Sequence, residues 1–244
     1  MAPPATPPDI PPDMPPRAPP PERLDPSRRA APQVFERLRD QIISLALPPG
    51  SPLSRTSLQA EFGLSSTPIR DALMRLAEEG LVDIFPQHAT LVSRIDIGRA
   101  QQAQFLRQAL ELEIVRLLAR EPVQTLADEL YGLVAQQRRF ARDGDFAAFM
   151  LADNAFHERL YTAANKHELW TLVRSRSGHI DRLRRLHLPS PGKAQTILRH
   201  HKQIVDAIAA GRPDEAQAHL REHLTGTLSD LATIRSRWPD YLSG

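Results

Sequence analysis

The stretch Gly63-Leu64-Ser65-Ser66-Thr67-Pro68-Ile69-Arg70-Asp71-Ala72-Leu73-Met74-Arg75-Leu76 decides the fold. A glycine turn leads into three hydroxyl residues and a proline, the composition of a helix start. Ser and Thr cap free backbone N–H groups, and proline is tolerated in a first turn. Ile69, Leu73 and Leu76 then recur at helical spacing, and Glu79-Gly80 ends the segment with the residue best suited to the left-handed conformation past a helix. Upstream, Val34, Leu38, Ile42 and Leu45 make another apolar stripe, ended by Leu47-Pro48-Pro49-Gly50, and residues 57–62 read as a short helix. Downstream, residues 81–85 and 90–93 read as two short strands around Pro86-Gln87-His88-Ala89. Three helices and a hairpin predict a winged helix-turn-helix over residues 33–97.

Composition narrows the rest. The 244 residues are 41% hydrophobic and 25% charged, which suits a globular chain. With no cysteine, disulfides, thiolate metal sites and cysteine nucleophiles are excluded, leaving histidines and carboxylates as the strong metal ligands. No apolar run approaches the ~20 residues needed to cross a bilayer, and the N-terminus lacks a secretory pattern, so a cytoplasmic location without a membrane partner is expected. The net charge is +2, but residues 33–98 carry six Arg against eight Asp plus Glu, so the excess lies C-terminally. DNA binding by the N-terminal half must therefore rest on local geometry. Residues 1–32 hold more than half of the 23 prolines and are expected to form a disordered arm, a tether or a segment whose Arg28 and Arg29 touch phosphate.

After Asp96 the pattern is helical throughout, with no further strand expected. Helices are predicted near 99–121, 123–143, 145–165, 167–188, 192–210 and 213–235. The fold class is thus mainly α, a winged helix-turn-helix followed by an antiparallel bundle of six to seven helices over residues 98–235, with 236–244 as a tail.

In a helix-turn-helix the second helix presents its N-terminal residues to base edges and phosphates. Here these are Ser65, Ser66, Thr67 and Arg70, and the Arg70 fork can match two acceptors of a guanine. Arg75, further along, is placed to reach the DNA backbone or to pair with Glu78 or Glu79.

Leu53-Ser54, Leu58, the run from Gly63 to Leu73, Leu76, Glu79-Gly80-Leu81 and the segment from Pro86 to Val92 together resemble the winged-helix domain of GntR-type bacterial transcription regulators. That resemblance implies a dimer on a palindromic double-stranded DNA operator, with Arg55, Thr56 and the wing-tip His88 added to the DNA-facing set. The family usually carries Arg where Ser66 stands, often Arg where Thr56 stands, and Arg-Gly where His88-Ala89 stands. An altered operator or weaker binding is expected, since backbone contacts still supply much of the affinity.

Within the bundle, His201 precedes Gly211 by ten residues and His223 follows Pro213 by ten. In an antiparallel pair both imidazoles then stand roughly 15 Å from the turn and face each other. Ile197, His201, Ile204 and Ile208 share one apolar stripe, and Ala216, Leu220, His223, Thr227 and Leu231 another. Asp153 and His157, at i and i+4, lie on the inward stripe of a third helix with Phe149, Phe156 and Leu160. An inward carboxylate is costly unless paired or bound to metal. Asp153, His157, His201 and His223 are therefore predicted to hold a divalent ion, Zn²⁺ first, with Ni²⁺ or Mn²⁺ as alternatives. His200 and His219 lie near the same layer; His88, His167 and His187 read as surface residues.

"FLRQALELE" with Arg107 and Glu111, the Asp153 and His157 pair, His201 and His223 resemble the helical ligand-binding domain of the FadR-like branch of the same family. The resemblance implies that Asp153, His157, His201 and His223 ligate the metal, that a small organic acid binds beside it, and that Arg107 helps hold its carboxylate. Glu111, His179 and Arg182 are expected to line the same pocket. Two competing readings are a regulator whose histidines are structural and a metal-dependent hydrolase, though no general base stands out beside the metal set.

Overall fold

The computed structural model describes residues 24–226 and 228–244; residues 1–23 of the expected arm lie outside the described residues. The arm's end is not extended to residue 32: α1 (Ala30–Ile43) starts three residues before Gln33, preceded by a turn in which Arg28 pairs with Glu36 at 3.0 Å. Val34, Phe35, Leu38 and Ile42 on α1 are buried, as the 3.6-residue period requires.

The next helix, α2 (Arg55–Phe62), starts two residues earlier than its apolar pattern suggests, because the Ser54 hydroxyl accepts from the Ser57 N–H. Gly63, at φ 64°, turns the chain into α3 (Ser66–Glu78), whose Ile69, Ala72, Leu73 and Leu76 close a common core with α1 and Leu58. Removing a side chain as buried as Leu76 costs about 2–5 kcal/mol in such a core. The wing pairs β1 (Val82–Phe85) antiparallel with β2 (Ala89–Val92). Its tip places Gln87 at φ 62°, a conformation glycine adopts at less cost.

Seven helices follow: α4 (Ile97–Arg120), α5 (Gln124–Asp143), α6 (Phe146–Ala163), α7 (His167–Arg176), α8 (Gly178–His187), α9 (Lys193–Ala209) and α10 (Pro213–Thr225). Ile114, Val115, Leu130, Phe156, Leu160, Ile204, Ile208 and Leu220 form their central core.

Three expectations are corrected. The single helix predicted over 167–188 breaks at Ser177. Its hydroxyl is 3.1 Å from the Arg174 carbonyl and 2.8 Å from Asp181, and the weak helix former Gly178 follows. The helix predicted over 213–235 ends at Thr225, and a separate α11 (Leu231–Arg237) follows a single 3-10 turn. Residues 236–244 are not a loose tail. There β4 (Leu242–Ser243) pairs in parallel with β3 (Ile95–Asp96), strands unforeseen because each is only two residues long. Leu242 packs with Leu45, Ile95, Ile180, Leu183 and Ile234, which explains why so short a pairing holds.

The two halves meet at α8. Arg182, fully buried, donates to the Ser93 carbonyl at 2.7 Å and to its hydroxyl oxygen at 3.2 Å; that hydroxyl donates to the Gly80 carbonyl at 2.7 Å. On α1, Arg39 binds Glu79 at 2.7 Å and the Arg174 carbonyl at 2.5 Å. Gly178 lets Leu81 approach so closely that an added Cβ would lie 2.6 Å from the Leu81 Cδ2. In an open helix Gly→Ala stabilises by about 1 kcal/mol. At this contact the sign should reverse: Gly178→Ala is expected to destabilise by about 1–3 kcal/mol in urea titrations through overpacking, and a more stable variant would show that the two halves do not pack here.

Candidate metal centre and nucleic-acid interface

Ser65, Ser66, Thr67 and Arg70 are all exposed at the start of α3, with Arg55 and Thr56 exposed at the start of α2 and His88 exposed at the wing tip. The Ser65 side chain makes no capping hydrogen bond, so its hydroxyl is spared for an outside partner. Arg70 keeps 62% of its side chain exposed beside Asp71 at 3.4 Å, an arrangement that leaves most of its donors for a base or phosphate. Arg75 does not pair with Glu79, which Arg39 takes; its guanidinium lies over the Phe35 ring at 3.9 Å from the centroid.

Inside the bundle, α6, α9 and α10 bring together the side chains of Asp153, His157, His201 and His223, each offering a ligand atom within 4.8 Å of the others. The Nε2 atoms of His157 and His223 are 3.2 Å apart, and those of His201 and His223 are 3.3 Å apart. Two ligands 2.0–2.1 Å from one Zn²⁺ stand roughly 2.8–3.0 Å apart in an octahedral arrangement and roughly 3.3–3.4 Å apart in a tetrahedral one. The spacing fits.

Proton accounting sharpens the fit. The His157 Nδ1 donates to Glu111 at 2.8 Å, and the His201 Nδ1 donates to the Gln137 side-chain oxygen at 2.7 Å. Both rings, when neutral, then present bare Nε2 lone pairs to His223, which has one proton to give and two neighbours to satisfy. Asp153 Oδ1 is also buried without a hydrogen-bond partner. A cation at the centre would satisfy all of them.

The electrostatics keep these four side chains in a form able to ligate a cation. Burial, with its neighbours His157, Arg184 and Arg107, pushes His201 down to about 3, against the opposing pull of Asp153. Burial also lowers His223 and His157, so all three imidazoles stay neutral. Burial alone would raise Asp153, but Arg184 first and then the imidazoles hold it well below the carboxylate range. Glu111 falls to about 2 because Arg107, 2.7 Å away, and His157 outweigh its own burial.

Beside this cluster lies a cavity of ≈ 40 Å³ whose lining includes Gln104, Arg107, Arg184, Lys193, Thr196 and His223. Arg107 therefore reaches the pocket. Glu111 does not line it; it orients His157 and Arg107 from behind. His179 and Arg182, expected as pocket residues, are corrected: Ile180 and Arg184 face the pocket, whereas His179 and Arg182 turn to Ser93 and Asp96 on the winged-helix side. One helix presents these faces about 100° per residue apart, and the break at Ser177 sets the phase. His187 is likewise not a surface residue; it is buried and contacts Asp230 at 3.2 Å. Arg184, Gln137 and Lys193 are additions. Arg184 is one of five arginines between positions 174 and 185 with nothing in the sequence to single it out, and Gln137 carries no signal.

A winged helix-turn-helix joined to a helical domain with a buried polar pocket is the architecture of a ligand-responsive DNA-binding regulator. Residues 30–92 match the bacterial regulatory proteins of the gntR family, and residues 102–226 match the FCD domain. The chain belongs to the GntR family, and it is a transcriptional regulator rather than an enzyme. It is 36% identical, over 85% of its own length and 87% of the relative's, to an uncharacterized HTH-type transcriptional regulator in an unstable DNA locus of Streptomyces ambofaciens. It is 27% identical to the HTH-type transcriptional repressor RspR of Escherichia coli K12, covering 91% of this chain and 97% of that one. Among solved structures, E. coli McbR/YncC shares the fold with a TM-score of 0.70 at 20% identity, covering 86% of this chain and 99% of the other. No helix among the described residues is long and apolar enough to cross a membrane.

His179 yields a pH prediction. Its Nδ1 accepts the Asp96 N–H at 2.9 Å and faces Arg182 at 3.1 Å; burial, then Arg182 and Arg99, push it down to about 3. A depressed folded pKa means the unfolded chain takes the proton first, so its contribution is complete above about 6.5 and lost as pH falls below that. Urea titrations should show the wild type losing about 2 kcal/mol more between pH 7.5 and 5 than His179→Asn, which keeps an acceptor but cannot titrate. Equal losses would mean that His179 is not held neutral at the junction.

Proposed function

We propose that this chain is a metal-dependent, effector-sensing GntR regulator that binds a palindromic operator as a homodimer and takes a small organic acid beside a divalent ion. Asp153, His157, His201 and His223 would ligate that ion, which would be Zn²⁺, or Ni²⁺ or Mn²⁺, and Arg107 would hold the acid's carboxylate. The observation that carries the reading is the set of bare Nε2 lone pairs crowded around Asp153 next to a cationic pocket. Crowded acceptors without a cation are destabilising, and the neighbouring Arg107 has a buried Nη2 atom without a hydrogen-bond partner. The kinship with a helix-turn-helix repressor supports regulation of transcription. An acid that binds the metal-loaded bundle would alter the posture of the winged helices, and differential affinity of a few kcal/mol suffices to shift such an equilibrium.

Two experiments test this. Protein purified without a histidine tag should hold one divalent ion per chain. His201→Ala with His223→Ala should lose it, along with a metal-dependent stabilisation of about 2.7 kcal/mol at a hundredfold excess over Kd. Full metal content in the double variant would remove these ligands from the proposal.

Selection from random duplexes should return a palindrome, on which Arg70→Ala weakens binding by about 10- to 100-fold and relaxes specificity at one position per half-site. Recovery of unpaired single sites would contradict the dimeric reading.

A further inference from the structure

The charges around the cavity do not balance once an ion is present. Arg107 is answered by Glu111 at 2.7 Å, Arg174 by Asp181 at 2.7 Å, and Lys193 shares Asp230 at 3.5 Å. Arg184 lies against Asp153 through its Nη2, and its Nη1 stands 3.6 Å from the Asp181 that Arg174 already neutralises. Without metal, that pair cancels and the cavity needs no anion. A divalent ion held by Asp153 and three neutral imidazoles leaves one positive charge in excess. Arg184 then shares its carboxylate with the ion and adds a second. No Asp or Glu lines the cavity to absorb either.

The unpaired atoms agree with this count. Arg184 Nη1 and Arg107 Nη2 are buried without hydrogen-bond partners, as is Nδ1 of His223, and all three residues line the cavity; both arginine residues are 9% exposed. Lys193 and Thr196 bring the first turn of α9 to the same cavity, where a helix N-terminus favours an anion. A smaller cavity of ≈ 10 Å³ shares Arg184, Lys193 and Ile197 in its lining and adds Met150, His187 and Leu188. The lining thus offers two cationic sites, one at Arg107 beside the imidazole cluster and one at Arg184 and Lys193.

We propose that the ligand is a short dicarboxylic acid, one carboxylate on the metal beside Arg107 and the other between Arg184, Lys193 and the N-terminus of α9. This deepens the metal-dependent reading above and rests on it. Two carboxylates match the two cationic sites, whereas phosphate gathers all its charged oxygens around a single phosphorus. Metal and dianion should bind cooperatively, because an ion that shares Asp153 with Arg184 leaves that arginine's charge uncancelled and open to the distal carboxylate.

The test is calorimetric titration of the Zn²⁺-loaded full chain with 2-hydroxy dicarboxylates of three to six carbons. Each is compared with its distal half-amide, which keeps shape but loses one charge, and inorganic phosphate serves as a further probe. At least one diacid should bind about 10- to 100-fold tighter than its half-amide, the worth of a charge-assisted pair. That preference should vanish with chelator and exceed any for phosphate. Arg184→Gln should weaken the diacid about tenfold or more and leave the half-amide within roughly threefold, with zinc content checked in parallel. Equal binding of diacid and half-amide, or a preference for phosphate, overturns the dicarboxylate while leaving the metal-bound acid intact. Failure of every acid on the zinc-loaded chain overturns the metal-dependent reading itself. If Arg184→Gln does not fold, the diacid to half-amide ratio on the native chain decides alone.

Discussion

A carboxylate with no access to water must be paired, and Asp153 sits at the centre of the bundle with no exposed surface. Everything around it follows from that demand. Arg184 answers one oxygen from α8, while His157 and His201 stand about 4 Å away with their outer nitrogens held by Glu111 and Gln137. Glu111 in turn is affordable inside the core only because Arg107 lies one turn before it. Five helices are tied by this chain of obligations, so the site is a condition of the fold as well as a place where something binds.

Because α8 provides the answering arginine, it also becomes the link to the winged helix. Its Arg184 face meets Asp153 and the cavity; its Asp181 meets Arg174 and Ser177; its Arg182 and His179 meet Ser93 and Asp96. A helix of ten residues is too short to bend gradually, so displacement of one face moves the others together. The contact between Arg39 and the Arg174 carbonyl adds a second tie, from α1 to the residue that pairs Asp181. The cavity lining and the residues that follow α3 are linked through two or three side chains.

The winged helix was legible because its signals are local: hydroxyl caps, Gly63, Pro68 and a stripe of large apolar residues all act within a few positions of one another. The four converging ligand residues were legible for a related reason, since an antiparallel helix pair converts equal distances from a turn into equal heights. Less was visible where a long-range partner decides. Arg182 and Arg184 are the same residue type two positions apart and both are buried, but one meets Ser93 and the other Asp153, a difference that the sequence pattern does not carry. Gln137 is an ordinary amphipathic-helix glutamine until His201 arrives against it. The two-residue strands at Ile95 and Leu242 carry no periodicity, because nothing that short can.

The pairing of Ile95 with Leu242 joins positions 147 residues apart. The winged helix, whose contacts are nearly all within about sixty residues, can acquire its shape while the bundle is still being synthesised. The connector beneath it gains its second strand only when Leu242 has left the ribosome. During translation, then, the winged helix can form before the strand pairing beneath it, and a nascent chain carries α3 without that late support.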